Sequence, residues 1–487
     1  MSPEAWTAQA RETTRNTLGR ALAEKATDEF CRRFAAELSP PGGSAVGAEA
    51  LAAPPLIERQ EAVIEVRTGA SADESAEPGP AGFGAEALEG VTAALEGLGE
   101  RQVRTIEHAL ASAGRQAAIQ AERDRFYREA GTVRDAVERG SATLAEGSEE
   151  RFPRVGIAAA PVQACWLNGT IRADTHVSVL GDIAEHRAVE RIDVARQIVR
   201  DSADVTIRSA ATLRQSTGLS GKGVLIAVID SEVQLDHPAL DGRIVHRRNY
   251  TREPFGTPDG HGTAVAGLIG AASPGFEGMA PGAQIYNYKV LATQSALGST
   301  DFEGALALQH ALEDGVRVAN CSWGSGPAGD GTGREARACD TAWRLGMVVV
   351  KSAGNAGPGP GTLTTPADAE GVLVVGATGA DGKTMPDYSS RGPTANGRPR
   401  PHVVAPGGEF GAEFDGIQLG GGTGVMHDEV GTSFAAPHVT GMIALLIERE
   451  PRLAPDEIRD RVIATCKPLA NLDANSQGAG LVEPASL

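Results

Sequence analysis

Five short, largely apolar runs, the first with almost no alternation, constrain this chain more than any other feature. They lie at residues 224–229, 285–290, 316–320, 347–350 and 372–375 of a 487-residue sequence. A strand with one wet face alternates apolar and polar side chains, whereas a strand covered on both faces reads as a continuous hydrophobic run. Helical stretches stand between the runs at 263–270, 301–314 and 334–345, and a long one follows at 433–450. Strands alternating with helices predict a doubly wound, mostly parallel α/β sheet flanked by helices, occupying residues 218–487. Such a sheet presents its reactive groups at the carboxyl ends of the strands.

The chain before residue 218 has a different character. Residues 1–61 read as a helical segment, with Leu18, Leu22, Phe30 and Phe34 at helical spacing, running into a Pro/Gly-rich linker that opens at Pro40. Residues 62–194 read as a small α+β domain: a strand at 62–68, a hairpin turning at Asn168–Gly169, a helix over 175–186 and a strand at 189–194. A long helical insertion at about 86–150 interrupts it, and residues 195–217 form a polar linker.

Charge and cysteine content narrow the function. With 45 basic against 63 acidic residues, the net charge of −18 opposes nucleic-acid binding. The cysteines (Cys31, Cys165, Cys321, Cys339, Cys466) are odd in number, and none stands in a C-x-x-C pair, so neither a disulfide framework nor a zinc site is expected. No run of 18 apolar residues suggests a membrane span, and the amino terminus has no apolar core of the signal-peptide kind. The expectation is a cytoplasmic protein, with non-classical export left open.

Four separated pieces carry the chemistry. Asp230 ends the first apolar run; it suits a functional carboxylate, and equally an ordinary turn former. His261 lies between two glycines just before the expected helix start at Thr263. Ser433 leads a small-residue stretch, Ala435-Ala436-Pro437, and as an isolated feature would pass for an N-cap. Asn355 follows the run at 347–350. One account joins them: a serine hydroxyl is a weak nucleophile that needs a general base, a base histidine needs a carboxylate to hold its tautomer, and the tetrahedral oxyanion needs donors. Ser433, His261, Asp230, and Asn355 together with the Ser433 backbone N–H fill those places.

These pieces, AVIDSEVQLDHP, DGHGTAVAG, SAGNAG and GTSFAAPHVTG, resemble the subtilisin-like serine proteases, or subtilases. The resemblance runs from Gly218 to the end of the chain, with the motifs in family order. It implies that Ser322-Trp323-Gly324 and Ser352-Ala353-Gly354 are the backbone edges that hold an extended peptide, with Thr364 and Thr365 near the floor of the P1 pocket. A broad or apolar P1 preference is expected. The chemistry requires no cofactor. Structural calcium is possible, although Ala239 replaces the usual acidic ligand, and Glu232 stands where the family has glycine, a substitution that would be strained at positive φ. Residues 162–194 resemble the second half of a subtilase propeptide, which implies self-cleavage between about Asp193 and Gly218. Partners would be peptide or protein substrates, with neither nucleic acid nor membrane, and the N-terminal region is a candidate docking module. A peptide-binding protein that has lost catalysis and a serine esterase or amidase are the alternatives.

Overall fold

The computed structural model describes residues 210–273, 276–408 and 430–487 continuously. It also describes residues 60–66, 163–175, 189–194, 199–200, 414–417 and 423–426, residues 114–135 except 129 and 132, and scattered positions besides. The N-terminal helical segment, the linkers at 41–58 and 69–85, most of the 86–150 insertion and residues 201–209 of the second linker lie outside the described residues. The chain forms two units: Met1–Ser75 with Ala121–Arg196, and Ala76–Gln120 with Gln197–Leu487.

The first unit contains a four-stranded antiparallel sheet, in the order Gln163–Cys165, Thr170–Thr175, Gln60–Val66 and Val189–Val194. The strand expected at 62–68 begins and ends two residues earlier, and its Ile64 is in register with Ile171 on one side and Ile192 on the other. The hairpin turns at Gly169, whose φ of +71° lies in the left-handed region that favours glycine.

The second unit is built on seven parallel strands: β1 (Leu225–Asp230), β2 (Ile244–Asn249), β3 (Gln284–Lys289), β4 (Val318–Cys321), β5 (Val348–Ser352), β6 (Leu373–Thr378) and β7 (Val403–Pro406). Across the sheet they run β7-β6-β5-β4-β1-β3-β2. After β1 the chain adds β2 and β3 on one side and then β4 to β7 on the other. The order therefore reverses between β1 and β4, where open α/β sheets bind ligands.

Helices cover both faces. Helices α1 (Gly260–Gly270) and α4 (Thr432–Arg449) pack on each other and share one core with Ile226, Val228, Val350 and Val375. The intervening residues Ala227, Ile229, Val349 and Val374 are equally buried and point to the opposite face. There α2 (Asp301–Glu313) and α3 (Arg334–Arg344) pack on each other and against β1 and β5 respectively. Helix α4 is buried from Thr432 to Ile447, which explains its apolar residues on every side.

One expected boundary moves in a way that matters, and one strand appears that the sequence did not suggest. Helix α1 starts at Gly260, not Thr263, so His261 belongs to its first turn. Strand β2, sequence IVHRRN, has no apolar run because it is the sheet's edge and its side chains are mostly part-exposed.

Candidate active site

Asp230, the last residue of β1, is fully buried, and its Oδ1 accepts from its neighbour's backbone, Ser231 N, at 2.7 Å. The same oxygen lies 2.7 Å from His261 Nδ1. An ionised carboxylate can only accept, so this contact assigns the proton to Nδ1 and leaves Nε2 as the basic nitrogen. Helix α1 reaches this position because Asp259 caps it, accepting from His261 N at 2.8 Å. Gly262 is required as well: a Cβ there would stand 2.7 Å from Ser231 O and 2.8 Å from Ser231 Oγ.

Ser433 is the second residue of α4, whose cap position is Gly431, so its hydroxyl is not a helix cap. It is fully buried and donates to Ser322 O at 3.3 Å, while Ser322 Oγ donates to Ser433 O at 2.7 Å. The next side chain, Phe434, packs against the His261 ring with centroids 5.3 Å apart. The start of α4 thereby meets the start of α1, at the end of β4.

Asn355 is oriented by Thr432. Its Oδ1 accepts from Thr432 N and from Thr432 Oγ1, each at 3.0 Å. A backbone N–H can only donate, which fixes the oxygen end of the amide and makes the other end its donor. Thr432 Oγ1 also accepts from Gly354 N at 3.0 Å, tying the Gly354 turn to the head of α4.

The two expected backbone edges are joined through Thr364 and Thr365. Thr364 N donates to Ala353 O at 3.0 Å, and Thr365 N donates to Gly326 O at 2.9 Å. A Cβ on Gly324 would stand 2.7 Å from Thr364 Oγ1, and one on Gly354, at φ +109°, would stand 2.9 Å from the same atom. Thr364 therefore lies between the edges, and the two glycines make room for it. The Trp323–Gly324 edge carries an antiparallel partner from this chain, with Val199 opposite Gly324 and Arg200 opposite Trp323.

Three residues that sequence reasoning passed over belong to this region. Thr432 is the anchor of Asn355. Lys351, fully buried at the end of β5, donates to Ser352 O, to Ser352 Oγ at 2.9 Å and to Thr364 Oγ1 at 3.4 Å. A lysine closing the apolar run at 347–350 was the available signal. Cys321 ends β4, and burial pushes its thiol up to about 12 in spite of the nearby Lys351 charge, so it is no nucleophile.

The strain expected at Glu232 is absent. Among described non-glycine residues only Asn471 has positive φ. Glu232 is instead a buried anchor: it pairs with Lys289 at 3.2 Å and with Arg247 at 3.4 Å, and accepts from Gly256 N at 2.9 Å and Thr257 N at 3.2 Å. Its own backbone oxygen accepts from Asp259 N at 3.2 Å, so Glu232 holds the loop that delivers the cap of α1.

Comparison with known proteins identifies the family. The model of the Subtilase family, Peptidase_S8, matches residues 221–480. Serine protease AprX of Bacillus subtilis is 31% identical over 330 residues, which cover 62% of this chain and 74% of that protein. Subtilisin DY of Bacillus licheniformis is 30% identical over 275 residues, 55% of this chain and 92% of the relative. Among solved structures, fervidolysin from Fervidobacterium pennivorans, a keratinolytic enzyme related to subtilisin, superposes with a TM-score of 0.55 at 22% identity. That match covers 67% of this chain and 57% of fervidolysin, and shows the fold. With the family's model spanning more than half its length, on a sheet whose switch point gathers an aspartate, a histidine and a serine, the chain belongs to the subtilase family of serine proteases.

Proposed function

We propose that the chain is an endopeptidase that cleaves peptide bonds through an acyl-enzyme on Ser433. The carrying observation is the buried Asp230–His261 contact at 2.7 Å, one helix start away from a serine that does not cap its helix. His261 Nε2 takes the hydroxyl proton as Ser433 Oγ attacks the scissile carbonyl, which requires the hydroxyl to leave the Ser322 carbonyl. Asp230 stabilises the imidazolium, and the negative oxygen receives the Asn355 side-chain N–H and the Ser433 backbone N–H. The proton then passes from His261 to the leaving amine, and water reverses the sequence to release the acid. An extended substrate suits the two edges, because main-chain pairing binds peptides of varied sequence.

Ala239, buried in a short 3-10 turn, offers a methyl group where the family's calcium ligand would stand, so no step is assigned to a metal. The strand pairing of Val199–Arg200 with Trp323–Gly324 supports self-cleavage in the 195–217 region. A fluorophosphonate should label the wild type and not Ser433→Ala, and purified Ser433→Ala should keep the full-length mass while the wild type is shortened. Absence of labelling in a folded wild type overturns the reading.

A further inference from the structure

We propose that this protease selects an acidic residue, Asp or Glu, on the acyl side of the scissile bond, and that Lys351 is the residue that selects it. The proposal rests on the endopeptidase reading above and replaces the broad or apolar preference expected from sequence.

The observations concern where a buried positive charge sits. On the endopeptidase reading the pocket that receives the P1 side chain lies between the edges 322–324 and 352–354, and the Thr364 side chain would meet a Cβ on either Gly324 or Gly354. Lys351 Nζ lies 3.4 Å from Thr364 Oγ1. Nζ also donates to the carbonyl and hydroxyl of Ser352, which is itself part of the second edge. The ammonium therefore stands at the floor of the pocket, with its stem buried in the sheet. Charges act strongly at such a depth: a carboxylate beside the ammonium is attracted and gains a charge-assisted hydrogen bond. A Lys or Arg side chain there is repelled, and an apolar one must be buried against a charge.

The test uses the full-length protein and peptides that differ only at P1, with Ser433 labelling measured in the same samples. The wild type should cut after Glu or Asp at least about tenfold faster, in kcat/KM, than after Leu, Phe or Lys. Lys351→Met should invert that ratio, raising cleavage after Leu while lowering it after Glu, and Lys351→Arg should keep the acidic preference. A merely structural lysine would lower all rates together. If Lys351→Met fails to fold, the wild-type profile decides alone. Labelled enzyme that cuts after Leu or Phe as well as after Glu or Asp overturns the proposal and leaves the protease reading standing. A wild type neither labelled nor active overturns both.

Discussion

At the scale of single residues, orientation matters more than identity. Asn355 can serve an oxyanion only if its NH2 end faces the site, and that orientation comes from Thr432, which gives two hydrogen bonds to its oxygen. On the proposed mechanism Asn355→Ala removes a donor needed only when the oxyanion develops, so kcat should fall by about 10²–10³ with KM nearly unchanged, the magnitude established for the oxyanion asparagine of subtilisin. Steady-state kinetics on one peptide checks this; an equal change in KM would place Asn355 in ground-state binding. Sequence named Asn355 from its motif and not Thr432, because hydrogen-bond direction is a property of the fold. Lys351 was hidden differently. Next to four apolar residues a lysine reads as the wet end of a strand, and only the packed sheet places its ammonium 3.4 Å from Thr364.

At the scale of elements, the positions of α1 and Trp323 rest on features with measurable costs. Glu232, Glu253 and Lys289 form a buried cluster that fastens the loop before α1 to β3, with Lys289 3.2 Å from Glu232 and 2.9 Å from Glu253. Lys289→Met would remove the buried ammonium that two buried carboxylates share, and truncating one partner of a buried pair costs about 3–5 kcal/mol. Chemical denaturation should show that loss, and adding Glu232→Gln should recover part of it. On the opposite face, a Cβ on Gly304 of α2 would stand 2.7 Å from the Trp323 ring. Gly304→Ala should therefore move the substrate edge, costing about 1–3 kcal/mol of stability and raising KM. The strands inside the sheet were legible because both of their faces are buried. Edge strand β2 was not, since solvent on one flank removes the hydrophobic run, and the α1 start was misplaced because glycines 260 and 262 carry no helix signal.

At the scale of the whole molecule, the buried titratable groups set which pH limits the fold. Burial alone would raise the Glu253 carboxyl, yet hydrogen bonds from Thr293 and Lys289 bring it down to about 2, below its ordinary 4.5. A depressed carboxylate stabilises the fold above its unfolded value and loses that contribution as pH falls from 4.5 towards about 2. His402 acts in the same direction at higher pH. Desolvation, with Arg400 and Arg459 nearby, pushes it well below 6.5, and its Nδ1 accepts from Val374 N at 2.9 Å, a bond that the protonated ring cannot make. Below pH 6.5 the unfolded chain binds a proton at this position that the folded chain refuses, so stability declines as pH falls through 6.5. Denaturation midpoints should thus fall in two stages, one starting near 6.5 and one below 4.5. They should be measured on Ser433→Ala protein, so that self-digestion does not mimic unfolding. His402→Asn should flatten the first stage and leave the second, and Glu253→Gln should do the reverse. A first stage that persists in His402→Asn would show that another group binds the proton, because no carboxylate at its ordinary value titrates there.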